Sequence, residues 1–271
     1  MRKRDASGAE ALLREHERYY VGACGKFLDR GPSGDQIWAL RGKAGEPSAL
    51  IIHAKSTLLP VLCGAKEIPA PRFSGGLFGP VTVHSVQGLR GEAIAMETAL
   101  EKMGRKTAEN IDYDLMAIDT APNAGCAGPP GLVLRIPMYT DLDAIAALQA
   151  GYEQEEVLPR GAVFNPATSR INTARIIEKA RILGAELEGR LVGKINVSAV
   201  SFTRFQVGGV YVHPDFRGMG IARRMAAEFI GSLIAEGRGV TLFVKKSNPA
   251  ARKVYDSLGL SVIGDYRISY Y

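Results

Sequence analysis

The chain has 271 residues, of which 46% are hydrophobic and 23% are charged, a composition typical of folded globular proteins. Its 34 basic and 28 acidic side chains give a net charge of +6, a mild excess that permits acidic ligands such as phosphates and does not indicate nucleic-acid binding. These values exclude a collagen-like, a disulfide-rich or a wholly disordered chain.

The first half of the chain predicts a mixed α/β lobe. Apolar spacing and turn residues predict helices over residues 9–20 and 91–103, and short strands over residues 37–40, 49–53, 58–63, 81–83 and 113–118. The segment TAPNAGCAGPPG at 120–131 is rich in Gly, Pro and Ala and has no hydrophobic period, which predicts a linker. We therefore expect one domain over residues 1–119 and a second over residues 132–271.

The second half predicts the order β-α-α-β-β-β-α-β-α-β, a mixed and mostly antiparallel sheet flanked by helices. The predicted helices cover residues 142–152, 168–183, 220–236 and 249–258. The predicted strands cover residues 132–136, 185–187, 191–200, 205–212, 240–244 and 262–270.

Signals for metals, disulfides and membranes are weak. Cys24, Cys63 and Cys126 are odd in number and widely spaced, so they indicate neither a disulfide framework nor a zinc site. No apolar run reaches the about 18 residues that a membrane-spanning helix needs, and no apolar stretch follows the basic N-terminus. We expect a cytoplasmic protein, a monomer or homodimer, that contacts no membrane and no nucleic acid.

The strongest chemical signal is the junction VYVHPDFRGMGIA at residues 210–222. Gly218 and Gly220 permit a tight turn between a strand and a helix whose apolar positions recur every four residues. The N–H groups of the first helical turn, the helix dipole and the charge of Arg217 together favour an anion. This chemistry suits a pyrophosphate.

A second signal is NPAARKVY at residues 248–255. Asn248 is suited to cap a helix whose first position is Pro249. Tyr255 lies on the apolar stripe of that helix, so it is predicted to point into the domain. By position alone it is either a core tyrosine or a functional one.

The order of elements and these two motifs resemble the GNAT superfamily of acyl-CoA-dependent N-acetyltransferases, over roughly residues 132–271. The subgroup it resembles has a divergent lobe before the catalytic domain. The resemblance implies an acetyl-CoA co-substrate and direct acetyl transfer to a primary amine of a small molecule or peptide. Its implied site residues are the pyrophosphate loop Arg217, Gly218, Met219, Gly220, Ile221 and Ala222, and the strand Val210, Tyr211 and Val212 that pairs with pantetheine. It also implies that Asn248 lies beside this arm and that Tyr255 protonates the CoA thiolate.

The general base is not evident from the sequence. Many relatives carry a glutamate on the strand before the loop, where this chain reads FQVGG at residues 205–209. Glu153, Glu155 and Glu156 follow the first helix of the domain, where the acceptor cleft is expected. They either serve as the base through a water, with Glu156 as the candidate catalytic residue, or form a solvated acidic run. The missing strand carboxylate leaves open an alternative function, a non-catalytic acyl-CoA-binding or sensing module.

The first half resembles a decayed copy of the second. LRGEAIAMETALEKMG at 89–104 and FRGMGIARRMAAEFIG at 216–231 share seven identical positions without a gap. Glu92 stands where the loop has Met219, and Ala93 where it has Gly220. A carboxylate there would satisfy the helix start and repel a pyrophosphate. We predict a degenerate GNAT-like lobe without acetyl-CoA; the alternative is two unrelated helices with similar starts.

Overall fold

The structure is a computed structural model that describes residues 3–29, 36–42, 45–64, 68, 81–123 and 127–271, so Cys126 lies outside the described residues. The chain divides into two compact units. Unit 1 holds the described residues of Met1–Leu115 together with Phe243–Ser247 and Val262–Tyr271. Unit 2 holds those of Met116–Leu242 together with Asn248–Ser261.

The helices and strands follow the predicted order closely. The helices are α1 (Lys3–Glu15), α2 (Val21–Leu28), α3 (Arg90–Glu101), α4 (Leu142–Tyr152), α5 (Pro166–Lys179), α6 (Ile221–Ile234) and α7 (Pro249–Ser257). The strands are β1 (Gln36–Arg41), β2 (Pro47–Ala54), β3 (Thr57–Val61), β4 (Ser85–Leu89), β5 (Glu109–Ile118), β6 (Val133–Arg135), β7 (Ile182–Leu187), β8 (Arg190–Val200), β9 (Arg204–Val212), β10 (Gly239–Lys245) and β11 (Ser261–Tyr270). A π-helical turn, Glu153–Val157, extends α4.

Unit 1 is built on neighbouring strands in the order β1-β2-β3-β4-β11-β5. The pairs β1–β2, β2–β3 and β4–β11 are antiparallel, and β3–β4 is parallel. Consecutive residues of β2 are buried, which is typical of a strand covered on both faces. Ala93, Met96 and Leu100 of α3 have no exposed surface and lie at helical spacing, so this stripe packs into the core of unit 1.

The last strand belongs to unit 1, whereas the predicted second domain includes it. β11 pairs with β4 from Tyr266–Leu89 to Tyr270–Ser85, and the Tyr266 ring stacks on Phe243 with 4.0 Å between centroids. The predicted linker, residues 120–131, falls within the span of unit 2. Local periodicity identifies a strand but not its partner, because pairing is a tertiary property.

Unit 2 contains the strand order β10-β9-β8-β7-β6. Its strands pair antiparallel except for the parallel pair β9–β10, which confirms the predicted mixed, mostly antiparallel sheet flanked by helices. α4 and α5 pack on the sheet around Ile145, Leu148, Ile182 and Tyr211. The predicted apolar stripe of α6 is confirmed, since its members are at most 5% exposed: Ile221, Met225, Phe229 and Leu233.

Several predicted element boundaries are wrong. The helix predicted over residues 9–20 begins earlier and ends at Glu15, and α2 has no counterpart among the predicted elements. The helix predicted over residues 168–183 ends at Lys179, and the apolar residues after it form β7, which pairs with β8. Its start lies earlier because the Asn165 side chain accepts a hydrogen bond from the Thr168 N–H at 2.9 Å, with Pro166 in the first turn. The strand predicted over residues 81–83 is irregular, and β4 begins at Ser85.

Within the described ranges, no helix is both long and apolar enough to cross a membrane. In the same part of the chain, no group of three or more His, Cys, Asp or Glu side chains is placed to hold a metal ion.

Candidate active site

The segment between β9 and α6 forms an open loop in unit 2. Gly218 and Gly220 have φ values of +80° and +79°, in the left-handed region that favours glycine. Apart from the glycine and its two chain neighbours, no atom of the described residues lies within 4 Å of the place that a Cβ would take at either position. The first-turn N–H groups of α6 and the positive end of its dipole therefore adjoin a space that can admit an anion.

The other predicted loop residues differ in exposure. Met219 is 44% exposed, and Ala222 is half-buried. The Ile221 side chain is 1% exposed and anchors α6 in the core, so only its main chain can face a ligand.

Arg217 is held in a fixed position beside this loop. Its Nε donates to the Val212 carbonyl at 3.0 Å, and its Nη2 lies 2.8 Å from Glu155 Oε2. The guanidinium lies over the Tyr211 ring, 5.2 Å from its centroid, and the Tyr211 hydroxyl donates to Glu155 Oε1 at 2.7 Å. Burial alone would raise the pKa of Glu155, but the hydrogen bonds from Tyr211 and Arg217 outweigh burial and hold this pKa below its usual value.

β9 continues beyond its pairing with β10. The parallel ladder runs from Gly239–Arg204 to Leu242–Val207, and β9 extends to Val212. On its other edge β9 pairs with β8, with Val212 opposite Gly193 and Tyr211 opposite Lys194. In the described part of the chain, the ladder with β10 therefore leaves main-chain groups of residues 210–212 for a ligand.

A buried lysine adjoins an irregularity in β9 that the sequence analysis missed. Lys194 is 0% exposed, and its Nζ donates to the Gly209 carbonyl at 2.8 Å and to Asn196 Oδ1 at 3.2 Å. Nζ also lies 5.0 Å from the centroid of the Tyr152 ring. Burial lowers the pKa of Lys194 to about 7, although the nearby Glu153 acts in the opposite direction. The available signal was a lysine and an asparagine inside the apolar run at 191–200, opposite a Gly-Gly pair.

The three glutamates after α4 are held by the π-helical turn, in which the Leu158 N–H donates to the Glu153 carbonyl at 2.8 Å. Glu153 accepts a hydrogen bond from Gln149 at 2.8 Å, and Glu156 Oε1 accepts one from Asn248 Nδ2 at 3.2 Å. With Glu155 bound to Arg217 and Tyr211, each carboxylate has a side-chain partner. The π-helical turn thus directs the three carboxylates to different partners, although Glu155 is also exposed to solvent.

Asn248 and Tyr255 occupy the positions that the sequence predicts. Asn248 Oδ1 accepts the Ala251 N–H at 3.0 Å and caps α7, which leaves Nδ2 to face Glu156. Tyr255 is 6% exposed. Burial raises its pKa, and the charges of Tyr152 and Glu156 raise it further. Tyr255 therefore keeps its proton near neutral pH, beside Glu156 and Tyr152.

The aligned segment of unit 1 lacks such a loop. α3 begins at Arg90, directly after β4, so the residues aligned with Arg217–Gly220 are already helical. Glu92 is 3% exposed and accepts hydrogen bonds from the Tyr20 hydroxyl at 2.6 Å and the Gly64 N–H at 3.3 Å. Burial raises the pKa of Glu92 despite these hydrogen bonds.

Comparison with known proteins finds a family model that matches part of the chain. Residues 148–260 match the model of the acetyltransferase (GNAT) family. A GCN5-related N-acetyltransferase from Sphaerobacter thermophilus is 21% identical, with 97% of this chain and 93% of that chain aligned and a TM-score of 0.57. A tandem GNAT protein from the clavulanic acid biosynthesis pathway, solved without AcCoA, is 15% identical over 98% of this chain and 96% of that chain, with a TM-score of 0.55.

Coverage is lower for a GNAT-family structure from Novosphingobium aromaticivorans DSM 12444, which is 23% identical over 60% of this chain with a TM-score of 0.47. This chain spans 65% of that one. No curated protein sequence matches the chain. The first two structures confirm the predicted fold.

Proposed function

We propose that this chain, whose residues 148–260 match the model of the acetyltransferase (GNAT) family, transfers the acetyl group of acetyl-CoA to a primary amine of a small molecule or peptide. One observation carries the proposal. Adjacent residues of one π-helical turn contact both halves of the site: Glu155 binds Arg217 at the open loop, and Glu156 binds Asn248 beside the buried Tyr255. A long ligand with a phosphate end and a reactive end suits such a site.

The residues fit acetyl-CoA at both ends. We assign the pyrophosphate to the main chain of residues 217–222, because Gly218 and Gly220 leave room that a Cβ would fill. We assign the pantetheine amides to the main chain of Val210, Tyr211 and Val212 and to Asn248. When bound, acetyl-CoA supplies an electrophilic thioester carbonyl and a thiolate leaving group.

Glu156 and Tyr255 divide the proton transfers. Fewer than about one in a thousand alkylamines is neutral at pH 7, because their pKa is about 10.4. We assign Glu156 as the base that takes the amine proton, with its Oε1 oriented by Asn248. The ammonium first loses one proton to Glu156, which releases it to solvent. As the new N–C bond forms and the C–S bond breaks, Glu156 takes the second proton from nitrogen and the Tyr255 hydroxyl proton passes to sulfur. Glu156 then releases its proton to solvent, and Tyr255 regains one. Because its pKa is raised, Tyr255 is protonated near neutral pH and holds the proton that it donates.

The acceptor is expected to be cationic in solution. The π-helical turn carries three carboxylates, Glu153, Glu155 and Glu156, and Glu156 lies beside Asn248 and the buried Tyr255. Carboxylates near the reacting centre attract an ammonium before it loses its proton.

The test is a thiol-release assay with acetyl-CoA and a panel of primary amines. Tyr255→Phe is expected to lower kcat at least about tenfold and leave the Kd for acetyl-CoA within about twofold, since it removes only the proton donor. Tyr139→Phe is the matched control, because Tyr139 is 61% exposed and lies outside the site. Binding of acetyl-CoA without thiol release for any amine would overturn the proposal and favour a non-catalytic acyl-CoA-binding module.

We further propose that residues 1–119 form a GNAT-like lobe that binds no acetyl-CoA. The helical start of α3 and the buried Glu92 support this proposal, because together they fill the space that an anion would need. Calorimetry is expected to give one molecule of acetyl-CoA per chain, and a stoichiometry of two would refute the idea.

A further inference from the structure

Lys194 is a charged residue type in a place where a core side chain would ordinarily stand. It lies in the middle of β8 and has no exposed surface. Burying an ammonium is unfavourable unless hydrogen-bonded partners compensate for lost water. The structure gives Nζ the Gly209 carbonyl, the Asn196 side-chain oxygen and the Tyr152 ring. These partners surround one short stretch of β9, so the function of Lys194 is to be sought there.

That stretch is a β-bulge. The β8–β9 register passes from Asn196–Gly208 to Lys194–Tyr211, so Ile195 faces two residues of β9, Gly209 and Val210. The backbone of Gly209 has φ +60°, which favours glycine. A Cβ at Gly209 would also overlap the Asn196 side-chain oxygen and lie 2.7 Å from Lys194 Nζ.

The hydrogen bond from Lys194 fixes the direction of the next peptide N–H. In a planar trans peptide the carbonyl of one residue and the N–H of the following residue point in opposite directions. Because Nζ holds the Gly209 carbonyl at 2.8 Å, the Val210 N–H points away from Lys194. Val210 lies on the part of β9 that extends beyond its pairing with β10. The Val210 N–H therefore faces away from Lys194, on the stretch of β9 assigned above to the acyl-CoA arm.

We propose that Lys194 is a positioning residue, which holds the β9 bulge so that the Val210 N–H donates to the thioester carbonyl of bound acetyl-CoA. The proposal rests on the proposed function, and Lys194 acts through the Gly209 peptide without touching the substrate. A donor aimed beforehand at a carbonyl oxygen that gains negative charge accelerates acyl transfer, because no reorganisation is needed during the reaction.

Both protonation states of Lys194 preserve this arrangement. Burial lowers the pKa of Lys194 to about 7, so amine and ammonium are both present near neutral pH. A neutral amine keeps two N–H donors, enough for Gly209 and Asn196. The Gly209 carbonyl therefore stays bound in either state.

The test is infrared difference spectroscopy of bound acetyl-CoA labelled with ¹²C or ¹³C at the acetyl carbonyl. In the wild-type protein, the carbonyl band is expected at lower frequency than in solution, because a hydrogen bond polarises the C=O group. Lys194→Met keeps the aliphatic stem and removes the donor, so the band should return toward its solution position. Its kcat should fall about tenfold with the KM for acetyl-CoA little changed, since only the aim of one donor is lost.

Two further variants separate positioning from folding. Thr241→Val is the control, because Thr241 is also a buried polar residue of this sheet and pairs with Gln206, away from the bulge. It should keep the shifted band. If Lys194→Met does not fold, Lys194→Gln, which retains an N–H donor, should give a band between those of wild type and solution.

The possible results distinguish the role of Lys194 from the proposed acetyltransferase function. A wild-type protein that binds no acetyl-CoA overturns the proposed function and this inference together. A bound carbonyl at its solution frequency, or the same shifted band in wild type and Lys194→Met, overturns only the role of Lys194. Loss of the band shift with retained acetyl-CoA binding supports it.

Discussion

The open loop before α6 allows a test with an internal control, Gly220→Ala against Gly237→Ala. Both glycines have similar left-handed backbones, with φ of +79° and +76°. At both positions, no atom of the described residues beyond the glycine and its two chain neighbours lies within 4 Å of the place that a Cβ would take, so neither substitution creates a clash with a distant residue. Gly220 is the N-cap of α6, whereas Gly237 lies in the turn before β10. The backbone penalty is therefore matched, and only the relation to the proposed phosphate site differs.

The expected magnitudes follow from these two features. A residue with a Cβ in the left-handed region costs about 1–2 kcal/mol, so both variants should lose similar stability, a fall in Tm of roughly 2–8 °C. At Gly220 the added Cβ also enters the space assigned to the phosphate. The loss of one charge-assisted hydrogen bond, about 1.5–3 kcal/mol, should weaken acetyl-CoA binding roughly 10- to 100-fold.

Calorimetric titration with acetyl-CoA, together with thermal melting, measures both quantities. Gly237→Ala should bind acetyl-CoA as the wild type does, whereas Gly220→Ala should not. Equal affinities of the two variants, with equal losses of Tm, would show that the loop does not hold the phosphates and would refute the reasoning.

Three other changes give distinct readouts. Arg135 forms a bidentate pair with Asp141 and also binds Glu186. The hydrogen bonds from Arg135 lower the pKa of Asp141 to about 2, whereas an aspartate in the unfolded chain has a pKa of about 3.9. Asp141 therefore contributes stability above pH 4, and this contribution is lost as the pH falls through 2. Asp141→Asn should therefore cost about 2 kcal/mol in urea unfolding at pH 7, and a cost unchanged at pH 2 would contradict this. Gly151→Ala places a Cβ 2.7 Å from Tyr211 Cζ, so overpacking should cost about 1–3 kcal/mol in the same measurement, and an unchanged midpoint would count against the close contact. Asn248→Ala removes the cap of α7, so it should lower the free energy of unfolding by about 1 kcal/mol and lower Tm accordingly. It should also lower kcat, because Glu156 loses its hydrogen-bond donor. Asn165→Ala, which removes only the cap of α5, should leave kcat unchanged.

Features set by neighbouring residues could be predicted from the sequence. The Asn248 cap depends on the Ala251 N–H three residues on, and the α6 stripe depends on helical spacing. The left-handed glycines at 218 and 220 likewise follow from local turn geometry. These features place the open loop and the buried Tyr255 of the candidate site.

Other features depend on contacts between residues that are distant in the sequence. Lys194 binds the Gly209 carbonyl at a bulge, 15 positions along the chain, and the ring of Tyr152 from α4 lies 5.0 Å from its Nζ. The π-helical turn is equally hidden, because its sequence EQEEV is compatible with an ordinary α-helix and the turn is evident only from the Leu158–Glu153 hydrogen bond. The pairing of β11 with β4 is also non-local. The partners of Lys194, of the π-helical turn and of β11 could not be predicted, because tertiary packing determines them.

The aligned helix starts show how a few substitutions can change the chemistry of one motif. At α6, two left-handed glycines delay the helix to Ile221 and leave its first N–H groups beside open space. At α3, Glu92 aligns with Met219 and Ala93 aligns with Gly220, and the helix begins at Arg90 instead. Glu92 then supplies the chain's own carboxylate, which the Tyr20 hydroxyl and the Gly64 N–H bind. An internal carboxylate is always present at its site, so a helix start that holds one has no electrostatic reason to select a phosphate from solution.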